Sequence, residues 1–148
     1  MKATVSIRTA TQWSWSSAAA FAVLLLFAGG CMHATAKYYV PTAGDSRLDE
    51  NELRVEAESL LRVECDRLKG GKASVSGEGT YVLDVSPTGS VQRVKVSHST
   101  GDAALDDIFG ALSARLDLGS VEGKAGGIRM RASYFCEQDK AITTIEMT

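Results

Sequence analysis

An apolar run near the start of the chain limits which residues can belong to a folded domain. Lys2 and Arg8 precede it, the run covers residues 18–28, and Gly29-Gly30 follow it. A basic segment, a short apolar core and small residues, in that order, are typical of a secretory signal peptide. The apolar core is about half of the ~20 residues that a membrane-spanning helix requires. We therefore predict that residues 1–30 are removed during export.

The segment ends with small residues followed by a cysteine, in the order Ala28-Gly29-Gly30-Cys31. They resemble the lipobox of bacterial lipoproteins, whose cysteine receives diacylglycerol and becomes the N-terminus after cleavage. Ala28 departs from that pattern, because leucine is usual there. The resemblance implies lipidation of Cys31, and several acyl chains anchor a protein far more firmly than one myristoyl chain. A permanent transmembrane anchor and ordinary signal cleavage that leaves Cys31 free are the alternatives.

The remaining cysteines, Cys65 and Cys136, form a possible pair. An exported protein enters a compartment that permits disulfides. Cys65 falls on the apolar stripe of a predicted helix, and Cys136 falls on the apolar face of a predicted strand. Because both side chains then point to the core, we predict a Cys65–Cys136 disulfide. Two buried free thiols that pack as small hydrophobes are the alternative.

Charge and side-chain spacing exclude several classes of function. The mature chain carries 14 basic and 18 acidic residues, a net charge of −4, because two of the 16 basic residues and no acid lie in residues 1–30. This acidity argues against a nucleic-acid partner. The cysteines and the scattered His33 and His98 lack metal-ligand spacing. We therefore predict no metal and no small-molecule cofactor.

Two short polar runs invite a catalytic interpretation. Neighbouring side chains of a strand point to opposite faces, so Ser97-His98-Ser99 lacks the geometry of an activated nucleophile. Asp106-Asp107 is interpreted as a solvated first helical turn that the helix dipole favours. We therefore predict that the protein is not an enzyme.

Residues 31–47 are predicted to be a tether. They have no hydrophobic period, and Pro41 and Gly44 are turn and breaker residues. The patch Tyr38-Tyr39-Val40 is the exception, and it is a candidate to dock on the domain.

Residues 48–148 are predicted to form one small domain. Helical spacing of apolar residues indicates helices over 49–69 and from 99–102 to about 116. Residues 80–85 and 90–96 form a hairpin around the turn 86–89, and residues 128–137 alternate as a strand. Residues 141–147 are a candidate short edge strand. The expected fold is α+β: a small three-stranded antiparallel sheet with two helices packed on one face.

The order of these segments resembles the TonB C-terminal-domain family. The likeness consists of a glycine-led strand, a glycine turn, a valine-rich strand, a Ser-Thr-Gly segment and a Leu-Asp helix start, at residues 79–85, 87–91, 94–96, 99–101 and 105–106. The terminal strand 128–135 also fits, so the match covers about residues 50–137. The resemblance implies this fold, which the TolA C-terminal domain shares, a periplasmic location and protein–protein binding.

The departures from that family concern energy coupling. Its energy transducers have an N-terminal transmembrane helix and a long proline-rich spacer, whereas this chain has only Pro41 and Pro87 and lacks the usual Tyr-Pro pair. From this family we therefore carry over to this chain the expected fold and protein–protein binding, but no functional residue. A TonB-type energy-transducer component for outer-membrane transport is one alternative, and a structural envelope lipoprotein is another.

The expected function is thus a lipid-anchored, periplasm-facing envelope protein. Met32 stands where aspartate often retains lipoproteins at the inner membrane, which favours the outer membrane. The expected partner is an envelope or outer-membrane protein, bound by strand addition at 128–137 or 141–147. The candidate partner-binding residues are Arg129, Arg131 and Phe135. The alternative for the arginines is a solvated sheet face.

Overall fold

The computed structural model describes residues 36–119 and 126–148. The predicted signal peptide 1–30 and Cys31 lie outside these ranges. Seven elements are present in chain order: β1 Tyr38–Tyr39, α1 Glu50–Lys69, β2 Ser74–Val85, β3 Val91–His98, α2 Ala103–Ala114, β4 Gly126–Glu137 and β5 Lys140–Met147. The α+β class expected from the sequence is confirmed.

The sheet has five antiparallel strands in the order β1-β3-β2-β4-β5. The three strands expected from the sequence correspond to β2, β3 and β4. The prediction missed β1 because two residues within a segment that contains proline and glycine give no alternation. It left β5 as a candidate, and β5 pairs with β4 along its whole length.

Strand β2 begins at Ser74, six residues before the predicted start. The sequence predicted a later start because the first half of the strand contains two glycines, and glycine usually weakens a strand. A Cβ at Gly77 would lie 2.6 Å from the ring of Tyr134, and one at Gly79 would lie 2.8 Å from the methyl group of Thr100. These glycines therefore make room for side chains that cross the strand.

Each helix is preceded by an aspartate that caps its N-terminus. Asp49 and Glu52 form a reciprocal capping box at the start of α1, and Asp102 accepts hydrogen bonds from two backbone N–H groups at the start of α2. Gly70 ends α1 in the left-handed conformation, with φ of 52°.

One apolar core lies between the helices and the sheet. Its largest fully buried side chains include Tyr81 of β2, Phe109 of α2 and Leu53 of α1. Neither of the two described helices covers the opposite face of the sheet, and the side chains on that face are mostly polar. Neither helix in the described ranges is long and apolar enough to cross a membrane.

The compact domain begins at Ala36, within the segment predicted to be a tether. Leu48 donates its N–H to the carbonyl of Arg115 over 2.9 Å, and the Arg115 side chain donates to Ser46. Residues 36–47 therefore lie against the domain, and only residues 32–35 separate it from Cys31.

Candidate partner-binding site

Strand β5 is one edge of the sheet. Thr148 and Arg129 exchange two backbone hydrogen bonds of 2.9 Å, so even-numbered residues of β5 bond to β4. In an antiparallel pair the intervening residues direct N–H and C=O the other way. Ala141, Thr143, Ile145 and Met147 therefore present their backbone groups to the outer side, which is the geometry required for an added strand.

A side chain from α1 closes this edge at one point. Glu58 Oε1 accepts the N–H of Thr143 over 3.2 Å and also a hydrogen bond from Arg54 over 3.0 Å. Within the described ranges, the buried hydroxyl of Thr143 has no hydrogen-bond partner. The same ranges contain no acceptor for the outward N–H groups of Ile145 and Met147. The open part of the edge is therefore the C-terminal half of β5.

A disulfide lies beside this edge. Cys65 of α1 and Cys136 of β4 have their Sγ atoms 2.07 Å apart and their Cα atoms 5.6 Å apart. Cys136 pairs with Ala141 of β5. The bond therefore joins the helix to the sheet one strand away from the free edge.

The predicted partner-binding residues Arg129, Arg131 and Phe135 all lie on the helix-free face of β4. Because β4 lies between β2 and β5, it has no free edge, and strand addition at this strand is excluded. Of the two docking strands named from the sequence, only the C-terminal one remains.

The surroundings of these three residues differ. Arg131 lies 3.6 Å from a carboxylate oxygen of Glu78 and 3.7 Å from one of Glu146. Phe135 pairs across the strands with Ile142, whose side chain is 49% exposed. Among the described residues, no carboxylate lies within ion-pair distance of Arg129. Arg131 is therefore neutralised by two carboxylates and Phe135 belongs to an apolar pair, whereas Arg129 has no ion-pair partner among the described residues.

Strand β1 forms the other edge, and Tyr39 holds it in place. The Tyr39 ring lies over Gly110 of α2, where a Cβ would come within 2.2 Å of the ring. Its hydroxyl donates to Asp107 over 2.8 Å, and Lys37 pairs with the same carboxylate. Burial and the hydrogen bond to Asp107 raise the pKa of Tyr39 to about 12. Of the apolar patch predicted to dock, Tyr39 therefore packs on the domain, whereas the side chains of Tyr38 and Val40 are exposed.

A buried carboxylate organises the segment between β3 and α2. Asp106 accepts hydrogen bonds from the hydroxyls of Tyr81, Ser99 and Thr100 and from the N–H of Thr100. Burial, with a further contribution from the Asp106 charge, raises the pKa of Tyr81 above its usual range. The interpretation of Asp106 as a solvated residue is therefore wrong.

One residue of the run Ser97-His98-Ser99, for which a catalytic role was considered, belongs to this cluster. The Ser99 hydroxyl donates to Asp106, which also accepts three other bonds. This cluster closes a loop at the start of α2. Ser99, Thr100 and Asp106 therefore have a structural role at the start of α2.

Comparison with known proteins gives no match: no family model, no curated protein and no solved structure is similar to this chain.

Proposed function

We propose that this chain is a lipid-anchored, periplasm-facing envelope protein that binds a protein partner by strand addition to β5. The observation that carries the proposal is the outer edge of that strand, where Ile145 and Met147 direct backbone groups away from β4. A partner segment in extended conformation satisfies these groups through main-chain hydrogen bonds. No catalytic step is part of the proposal.

The anchor and location rest on the N-terminal sequence. The lipobox-like residues that end at Cys31 support acylation, and Met32 supports the outer membrane. The Cys65–Cys136 bond is of the kind that persists in an oxidising compartment. The two helices and the central antiparallel strands are compatible with a TonB C-terminal-like fold, which belongs to the proposal.

A structural envelope lipoprotein is the second candidate. The hydrogen bond from the Thr143 N–H to Glu58 favours it, because a covered edge is a common protection against unwanted pairing. In this alternative the whole β5 edge is closed by the protein itself, and Ile145 and Met147 have no partner strand.

Photo-crosslinking in intact cells distinguishes the two candidates. A photoreactive residue at the exposed Thr144 captures whatever lies along β5. We expect Ile145→Pro to abolish the crosslinked product, since proline removes the outward N–H and places its ring on the docking side. Ile145→Ala is the matched control, because it removes the side-chain packing and keeps the N–H. Equal crosslinking in both variants would contradict strand addition.

A second variant should have the opposite effect. Glu58→Ala frees the N–H of Thr143 and lengthens the open edge, so we expect a stronger crosslink. Asp66→Ala, at an exposed carboxylate on the same helix, serves as the control. Mass spectrometry of the same material reports diacylglycerol on Cys31. A chain that starts at Met1 without acyl mass would contradict the anchoring part of the proposal.

A further inference from the structure

We propose that the helix-free sheet face beside β1 rests on the surface of the membrane that carries the lipid anchor, with anionic phospholipid headgroups as its ligand. The inference rests on the proposed acylation of Cys31. We name the surface that makes contact the membrane patch. It consists of Tyr38, Arg93, Lys95 and Arg129 on that face, and of Val40, which follows β1 and lines a depression with Ala111 and Leu112 of α2.

A short stretch of chain joins the proposed lipid anchor to β1. Five residue steps separate Cys31 from Ala36, the first residue of the domain. A fully extended chain of that length spans at most about 18 Å. A lipid-bearing sulfur therefore holds β1 close to the headgroups, and so short a tether gives even a weak contact a high effective concentration.

The residues next to this tether combine exposed apolar and aromatic side chains with basic ones. Tyr38 is 50% exposed and Val40 is 64% exposed, two residues further along the chain. The guanidinium of Arg93 lies 5.4 Å from the centre of the Tyr38 ring. Tyrosine with adjacent basic side chains is typical of membrane–water interfaces, where the ring and the charge both remain hydrated at one end.

Basic side chains outnumber acidic ones in the membrane patch. Cross-strand pairing places Tyr38, Lys95, Val82 and Arg129 in one row across four strands. Asp84 pairs with Arg93 over 3.1 Å. Lys95 and Arg129 have no carboxylate at ion-pair distance among the described residues. The patch is therefore locally positive on an acidic protein, and anionic headgroups complement it.

The charge pattern also limits the patch. One step further along β4, Arg131 lies between Glu78 and Glu146, so the positive surface ends there. Strand β5 lies four strand spacings, roughly 19 Å, from β1. Arg129 on β4 is the patch residue nearest to the proposed docking edge, and β5 itself contributes no residue to the patch.

Tryptophan fluorescence tests the proposal directly. Both tryptophans of the chain, Trp13 and Trp15, lie in the predicted signal peptide, so the mature protein has none. Val40→Trp places a single probe in the patch. The acylated protein, purified from membranes, is reconstituted into phosphatidylglycerol/phosphatidylcholine vesicles with brominated acyl chains. We expect at least twofold stronger quenching than for Val63→Trp, on α1, where the native side chain is 78% exposed.

Charge reversal supplies the second arm. Combining Val40→Trp with Lys95→Glu and Arg129→Glu should lower the quenching to the level of the Val63→Trp control. Vesicles of phosphatidylcholine alone should have the same effect. The inference is overturned if quenching at position 40 in phosphatidylglycerol vesicles equals that of the Val63→Trp control. It is also overturned if neither the Lys95→Glu/Arg129→Glu substitution nor the change to phosphatidylcholine vesicles lowers the quenching.

The outcomes separate this inference from the proposed function. If the protein carries no acyl mass and does not float with vesicles, the anchoring itself is wrong. If it floats and the position 40 probe is not quenched, the anchoring stands and the membrane contact is wrong. A protein partner on this patch would give the second result.

Discussion

The two edges of the sheet are held in contrasting ways. Strand β5 pairs with β4 over eight residues, and the disulfide between Cys65 and Cys136 lies one strand away. Strand β1 pairs with β3 over two residues and is held mainly by Tyr39, through its ring over Gly110 and its hydroxyl on Asp107. One edge is thus part of the covalently reinforced core, whereas the other depends on a single aromatic side chain.

This difference predicts different local stabilities. Segments with few buried apolar contacts open at a lower free energy than the whole domain unfolds. We expect β1 to detach locally, whereas β5 should open only with the core. Under our proposals, the firm edge binds the partner strand and the loosely held edge faces the membrane, where acyl chains and headgroups add to its attachment.

Removal of the disulfide is expected to have the largest effect. The bond joins residues 71 apart, and closing a loop of that length contributes about 4 kcal/mol in the chain-entropy model. The variant Cys65→Ala/Cys136→Ala should lose about that much free energy of unfolding in urea. Native-state hydrogen exchange of the Ile142 N–H, which bonds to β4, should accelerate accordingly.

The β1 edge provides the internal reference for that experiment. The N–H of Val96 donates to the carbonyl of Lys37 and is exposed whenever β1 detaches. Its exchange should change little in the disulfide variant, because local opening already governs it. Equal acceleration at Val96 and Ile142 would show that the two edges open together, contrary to the comparison.

A substitution at Gly110 should act on the β1 edge alone. A methyl group there collides with the Tyr39 ring, so Gly110→Ala should destabilise the domain by about 2 kcal/mol through overpacking. The measurement is thermal or urea unfolding, with exchange of the Val96 N–H as the local readout. That amide should lose protection, and the Ile142 N–H should exchange at a rate set only by global stability.

The sign of this effect should reverse when the ring is absent. In a Tyr39→Ala background the collision disappears, and alanine stabilises a helix interior by about 1 kcal/mol relative to glycine. Gly110→Ala should then be stabilising. If it destabilises both backgrounds equally, Tyr39 does not pack on Gly110 in solution.

The sequence contained enough information for the elements that follow a regular pattern. Helix α1 was expected over 49–69 and spans Glu50–Lys69, because its apolar stripe, acidic start and Gly70-Gly71 all agree. The central hairpin and β4 were also located. Local propensity and hydrophobic period point to the same structure in these segments, which is why they could be identified without knowledge of the fold.

The missing parts depend on contacts between distant residues. The first half of β2 contains Gly77, which is required by the ring of Tyr134, far away in the sequence. Asp106 looks like a solvated helical residue until the fold brings Tyr81 over it. The covered edge at Thr143 depends likewise on Glu58, 85 residues away. Single-sequence patterns carry no signal for such pairs, so the docking edge that we propose could be named only as one of two candidate strands.

The smallest expected effect on stability concerns an ion pair that joins α1 to the start of α2. Arg67 of α1 donates to both carboxylate oxygens of Asp102, the N-cap of α2, over 2.8 and 2.9 Å. This contact, with the N–H groups of Leu105 and Ala104, holds the pKa of Asp102 below its ordinary value of 3.8. A folded pKa below the unfolded one adds stability that is complete above about pH 5 and is lost as the pH falls through the folded value.

Stability measured by urea unfolding between pH 6 and pH 2.5 should therefore fall less steeply on the acid side in Arg67→Met than in the unsubstituted protein. Arg62→Met, at an exposed arginine on the same helix, is the control and should leave the slope unchanged. The ion pair is largely exposed, so the difference should be small and should shrink further in high salt. Parallel curves for both variants would mean that α1 and α2 are joined only through the core, and the two edges would then be coupled by packing alone.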